Sequence, residues 1–161
     1  MINDLHQNAT NSPPVHPGVI AVVDDDTHIC AAIASWYELG GFTVCVHLSA
    51  ESLLRSIKVH DDHVSVATGS NPSVWKELVA GVFDLNLPGI SGLNLARHLR
   101  SMSPTLPLVI ISSLSEEERA TYGRDSMDIE CLQKPFNLDM LDSTLFPMLH
   151  TRLFNCLRIT P

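Results

Sequence analysis

The sequence predicts an α/β fold, a doubly wound five-stranded parallel sheet with helices on both faces. Three observations carry this. Continuous apolar runs of strand length, Val19–Val23, Leu78–Phe83 and Leu108–Ile111, show no polar alternation, as strands buried on both faces require. Each run ends abruptly in polar residues, Asp24-Asp25-Asp26, Asp84 and Ser112-Ser113. Stretches with helical spacing stand between the runs, and alternating strands and helices imply right-handed crossovers that bring the carboxyl ends of all strands to one edge.

At 161 residues with 45% apolar composition the chain fits one globular domain with a real core. A formal net charge of -8 with only 10 basic residues argues against direct nucleic acid binding, which depends on counterion release by Lys and Arg. No run approaches the ~18 apolar residues of a membrane span. Residues 1–17 have neither a basic leader nor an apolar core, so a cytoplasmic location is expected. The four cysteines, Cys30, Cys45, Cys131 and Cys156, lack the paired spacing of zinc or redox motifs and read as reduced thiols.

Residues 1–17, with Pro13, Pro14 and Pro17, read as a flexible N-terminal arm, and the domain proper spans 18–147. After the first strand, Asp26 or Thr27 can cap a helix with Ile29, Ile33, Trp36 and Leu39 on one stripe, closed by Gly40-Gly41. Phe42–Leu48 is rich in β-branched and apolar residues and reads as the second strand. Ser49 is the N-cap of a helix over Ala50–Lys58 whose buried face is Leu53, Leu54 and Ile57.

Residues 59–73 have the composition of a long loop and read as a surface insertion. His60-Asp61-Asp62-His63 within it has metal-ligand residue types but reads as a solvated polar loop. Trp36 and Trp75 read as packing residues at helix-like positions. The central run then drives into Asp84, Pro88-Gly89 turns the chain, and a helix follows over about Gly92–Met102.

Pro104 and Pro107 bracket a turn before the fourth strand, Leu108–Ile111. Ser115 with Glu118 makes a capping box for a short helix ending by Gly123. Ile129–Gln133 is the fifth strand, followed by Lys134-Pro135-Phe136. Asn137 can cap a final helix with Leu138, Leu141 and Leu145 inward. Pro147 is expected to kink or end it, since proline removes a backbone donor and clashes with the preceding turn. Residues 148–161 form a C-terminal extension, read as a second helical segment through Leu149, Leu153 and Leu157.

In such a sheet Asp24, Asp25, Asp84, Ser112 and Lys134 converge at the edge where open α/β sheets bind ligands. Gathered carboxylates call for a positive charge between them. Mg²⁺ fits, because it takes one or two carboxylates and keeps waters and phosphate oxygens as its other ligands. Lys134 supplies a second, movable charge. An incoming phosphoryl group would then have its oxygens neutralised while an aspartate attacks phosphorus, and the Ser112 hydroxyl can donate to it. Alone, each residue has a plainer reading: a cap or turn for the aspartates, a backbone bond for Ser112, an ordinary surface amine for Lys134. Their joint occurrence singles out the site.

On the blocks Val22-Val23-Asp24-Asp25-Asp26, Asp84 to Gly92, Ile110-Ile111-Ser112-Ser113 and Lys134-Pro135-Phe136, the chain resembles the receiver domain of bacterial two-component response regulators, with phrasing similar to the FixJ-like branch. The resemblance covers roughly residues 18–147 and implies a flavodoxin-like fold. It makes Asp84 the phosphoacceptor, fed by a sensor histidine kinase or phosphotransfer protein, in a switch that is not an enzyme on other substrates. It implies Mg²⁺ held by Asp24 (mostly through water), Asp25, Asp84 and the Asn86 backbone carbonyl. It has Lys134 contact the phosphoryl group, with a cis bond to Pro135. Ser112 would move toward that group and reposition the face of the fourth helix, fifth strand and fifth helix for a downstream protein partner. It also allows a homodimer.

The chain departs from the family's pattern in three places. Cys131 stands where the family usually has an aromatic residue, the Asp25-to-Asp84 span is long, and an output domain after Pro161 is not expected, which leaves protein contact as the output. Two rival readings remain. In a haloacid-dehalogenase-like phosphohydrolase the chemistry would fall to Asp24 and Asp26, which have that family's spacing. A pseudo-receiver would bind partners without being phosphorylated.

Overall fold

The computed structural model describes residues 18–69, 73–121 and 129–157. Five strands, β1 (Val19–Val23), β2 (Thr43–His47), β5 (Trp75–Asp84), β6 (Leu108–Ser112) and β7 (Glu130–Gln133), pair in parallel in the order β2-β1-β5-β6-β7. This is the doubly wound sheet that the apolar runs require. Helices α1 (Thr27–Leu39) and α5 (Leu138–Leu157) supply the core on one face, Ile33, Tyr37, Leu141 and Leu145. Helices α2 (Ala50–Arg55) and α3 (Gly92–Met102) supply the other, Leu53, Leu95 and Leu99. A short α4 (Glu116–Ala120) starts on the expected Ser115–Glu118 capping box.

The sheet has two more strands than expected. The last two residues of the expected helix and the expected surface loop instead form an antiparallel hairpin, β3 (Ile57–His60) and β4 (His63–Ala67), whose β4 pairs antiparallel with the amino-terminal end of β5, giving seven strands in all. The physical reason is a period of two: Val64 and Val66 alternate with polar neighbours and are fully buried beneath α3. Each such burial contributes about 1.5–3 kcal/mol, which outweighs the polar composition around it. The expected helix therefore stops at Arg55 rather than Lys58. His60-Asp61-Asp62-His63 is the hairpin turn, with Asp61 at φ 53. Trp75 lies on β5 rather than at a helix-like position, with the Lys58 ammonium 4.0 Å from its ring centroid. Residues 70–72 lie outside the described residues.

Two helix readings also need correction. The buried stripe of α1 is Cys30, Ile33 and Tyr37, while Trp36 is 38% and Leu39 77% exposed. Trp36 Nε1 donates to Asp142 Oδ2 at 2.9 Å instead of packing inward. In α5, Pro147 does not end the helix, which runs on to Leu157. Pro147 and Ser143, whose carbonyl loses its helical donor, are both exposed, so water can satisfy that carbonyl. Leu149 and Arg152 are buried by that continuation. The arm 1–17, the expected helix end at Gly123, the side chains of Leu153, Cys156 and Leu157, and residues 158–161 lie outside the description. Among the described residues no helix is long and apolar enough to cross a membrane.

His47 closes β2 against α2, with Nδ1 2.9 Å from Ser52 Oγ and Nε2 3.4 Å from Ser56 Oγ. Burial pushes its pKa below the ordinary 6.5. Below that value the unfolded chain takes up a proton that the folded ring resists. Stability is therefore full above 6.5 and falls as pH drops toward the lowered folded value. His47→Gln is expected to flatten this part of the pH dependence, measured by urea unfolding between about pH 7 and about pH 5.

Candidate functional site

The parallel register sets the site. Val23 pairs with Phe83, Asp84 with Ile111, and Ser112 with Gln133. The residues that follow or end β1, β5, β6 and β7 thus share one sheet edge. One carboxylate oxygen from each of Asp24, Asp25 and Asp84 lies within 4.8 Å of the others. Lys134 Nζ stands 2.9 Å from Asp84 Oδ1 and 3.1 Å from Asp24 Oδ2. Side-chain exposure is 1% for Asp24, 7% for Asp84 and 22% for Lys134, while Asp25 is exposed.

The electrostatics follow from this burial. Desolvation pushes the Asp24 carboxyl above its usual range, opposed by the Asp26 N–H on Oδ1 at 2.8 Å and by Lys134. Burial alone would lower the Lys134 pKa, but the bonds to Asp84 and Asp24 outweigh it, and the amine is held as an ammonium. One ammonium faces three acids. The surplus negative charge, all on oxygen ligands, fits a hard divalent cation such as Mg²⁺.

The loops that carry these groups are tied to the sheet. Leu85 N–H donates to Ile111 C=O at 2.9 Å and Lys134 N–H to Ser112 C=O at 2.7 Å. Asp84 Oδ2 accepts the Asn86 N–H at 3.1 Å, which fixes the carboxylate and places Asn86 beside it. Ser112 is fully buried, and its Oγ accepts the Leu114 N–H at 3.0 Å. The Lys134–Pro135 bond is cis, as expected. Cys131 lies on β7, where its carbonyl accepts a 3.5 Å bond from Arg119 of α4.

Asp26 stands apart from this cluster. Its exposed carboxylate accepts the N–H groups of His28 and Ile29 as the α1 N-cap, and those bonds, the His28 one first, lower its pKa. The second acid that a dehalogenase-like hydrolase would need is therefore occupied in a structural role.

Sequence reasoning missed what two residues do. Gly92 opens α3 so close to β5 that a Cβ there would run into the Asp84 carbonyl. Gly92→Ala is accordingly expected to displace the end of β5 and cost about 1–3 kcal/mol in urea unfolding, the usual range for overpacking against backbone. Glu51, in the first turn of α2, reaches across to accept the Ile90 N–H at 2.9 Å. No local pattern could have revealed a partner 39 residues away.

Residues 75–146 match the family model described as the response regulator receiver domain. This segment is similar to the response regulator receiver domain. The match begins at β5, so Asp24 and Asp25 lie outside it, and the fold brings them to Asp84. The chain resembles transcriptional regulatory protein PrrA of Mycobacterium tuberculosis, 28% identical over 133 residues, covering 83% of this chain and 50% of that protein. It also resembles response regulator RppA of Synechocystis, 37% identical over 62 residues, covering 38% of this chain and 26% of that protein.

Among solved structures it superposes on a CheY-like receiver domain protein from Methanospirillum hungatei, with a TM-score of 0.66 at 18% identity over 87% of this chain and 99% of the other. The receiver protein from Sinorhizobium medicae gives 0.64 at 23% identity over 85% and 98%. These likenesses establish the flavodoxin-like receiver fold. The chain spans about half the length of the PrrA relatives it matches. A receiver is a phosphoacceptor switch module of two-component signalling rather than a turnover enzyme.

Proposed function

We propose that Asp84 is the phosphoacceptor of this receiver, taking a phosphoryl group from the phosphohistidine of a sensor histidine kinase or phosphotransfer protein. The observation that carries this is the position of Lys134 Nζ, 2.9 Å from Asp84 Oδ1 within a ring of three acids. An Asp84 carboxylate oxygen forms the new O–P bond while the N–P bond to the donor imidazole breaks, and the imidazole leaves with its electron pair and takes a proton. Lys134 stabilises charge on the phosphoryl oxygens, and the Ser112 hydroxyl donates to one of them after leaving the Leu114 amide.

Asp24, Asp25, Asp84 and the Asn86 carbonyl would hold Mg²⁺, which when bound neutralises phosphoryl charge. Ser112 and Lys134 are joined through the Lys134 N–H bond to the Ser112 carbonyl. A shift of Ser112 is thereby passed to β7, and the α4–β7–α5 face is the surface offered to a downstream protein. A second copy of the chain is one such partner. The acidic balance disfavours nucleic acid as a direct ligand of this domain, and the free thiols Cys30, Cys45 and Cys131 suit a reducing cytoplasm. Burial pushes the Cys45 thiol up to about 12, so it is unreactive.

The test is exposure of the chain to acetyl phosphate with and without Mg²⁺, read by intact mass. One added phosphoryl group that depends on Mg²⁺ is the expected result. No addition under either condition would leave the pseudo-receiver reading in its place.

A further inference from the structure

We propose that Glu51 is a positioning residue for this site: its carboxylate sets the backbone of the β5–α3 connection, and through it the Asn86 carbonyl. This deepens the receiver reading and rests on it. The connection is tied at its start by Leu85 N–H to Ile111 C=O at 2.9 Å and Asn86 N–H to Asp84 Oδ2 at 3.1 Å. It is tied at its end by Gly92 N–H to Leu85 C=O at 3.1 Å. The apex between them, 87–91, is held from another element, by Glu51 Oε1 on the Ile90 N–H at 2.9 Å.

Two further observations make this a built contact rather than a chance one. Gly89 sits at φ 79, and a Cβ there would meet the Glu51 carboxylate, so the loop comes this near only because residue 89 has no side chain. Glu51 also stands in the first turn of α2, where the helix dipole favours a negative charge, and the Ile90 bond draws its carboxyl below the usual range. Asn86 lies between the fixed Asp84 and this apex. With the apex released, the Asn86 backbone keeps its tie to Asp84 but loses the Glu51 tie beyond it, which lets its carbonyl shift relative to the acids. Glu51 itself is partly exposed and contributes little to the core, so its loss leaves the fold in place.

The test compares wild type, Glu51→Ala and Glu51→Gln in the full chain, by hydrogen exchange of the Ile90 amide without metal and by calorimetric titration with Mg²⁺ alone. Glu51→Ala is expected to speed Ile90 exchange and weaken Mg²⁺ binding about tenfold, the lower end of what outer-shell partners of a metal site contribute. Glu51→Gln keeps an acceptor oxygen and is expected to recover most of both, a rescue that loss of helix charge alone would not produce. Unchanged Ile90 exchange in Glu51→Ala, or Mg²⁺ affinity equal to that of wild type, overturns the proposal. Failure of wild type itself to bind Mg²⁺ would instead overturn the metal reading, with the exchange data still reporting the Glu51 anchor.

Discussion

Asp84→Asn is expected to take up no phosphoryl group from acetyl phosphate and Mg²⁺ under conditions that label the wild type, as measured by intact mass. The substitution is nearly isosteric, so packing around a side chain that is 7% exposed is preserved. What changes is chemical. The amide oxygen is a poor nucleophile, and one of the negative charges facing Lys134 is gone, which also weakens the site's attraction for a divalent cation. Because both effects act on the reacting atom itself, loss should be complete rather than graded. Urea unfolding of Asp84→Asn without metal should show little net change, since relief of repulsion among three crowded acids offsets the one acceptor lost to Lys134 or to the Asn86 N–H. Labelling of Asp84→Asn to the wild-type extent would place the acceptor elsewhere, with Asp24 as the residue to examine next.

The second large effect concerns stability. Arg152, 5% exposed, lies in the part of α5 beyond Pro147. Its NH1 donates to Ser103 Oγ at 3.2 Å and Thr105 Oγ1 at 3.4 Å, and its NH2 to Glu77 Oε1 at 3.1 Å. One planar guanidinium thus ties the end of α5 to the turn after α3 and to the segment of β5 that pairs with the hairpin. Arg152→Ala leaves Ser103, which is 1% exposed, without this donor and opens a void.

Glu77 is 40% exposed and partly compensated by water and by His63 at 3.0 Å, so the ion pair itself contributes modestly. The expected cost is about 2–3 kcal/mol from the unsatisfied buried groups and lost packing. That corresponds to a fall in Tm of about 5–10 °C for a chain of this size. Arg152→Lys should recover less than half, because an ammonium cannot span the Ser103, Thr105 and Glu77 positions together. A loss in Arg152→Ala too small to resolve would mean that the α5 continuation is not coupled to the rest of the domain.

The parts of this architecture that were legible in advance are those written in short-range pattern. Val19–Val23, Leu78–Phe83 and Leu108–Ile111 are apolar without alternation because both sides are covered, and such runs cannot be surface strands. Caps were equally local: Asp26, Ser49, Ser115 and Asn137 each accept a backbone N–H two or three residues on. The site acids were readable only jointly: each alone fits a cap or turn, and their occurrence with Ser112 and Lys134 at successive strand ends singled them out.

The misreadings have one cause. Val64 and Val66 alternate over too few residues to outweigh the Gly, Ser, Asn and Asp around them, and only the unpaired flank of β5 turns the stretch into strands. On α1, Trp36 and Leu39 fit a helical stripe as well as Cys30 and Tyr37 do. Which stripe is buried depends on where α5 lies.

The order of elements and the residue types at each strand end follow from the sequence by itself, because hydrophobic period and capping are set by neighbours within a few positions. The tertiary structure alone decided pairs that close the molecule: Arg152 with Glu77 across 75 positions and Glu51 with Ile90 across 39. Such contacts form only after the sheet has brought distant backbone together, and their energies are those of a low-dielectric setting that no local stretch possesses before it folds.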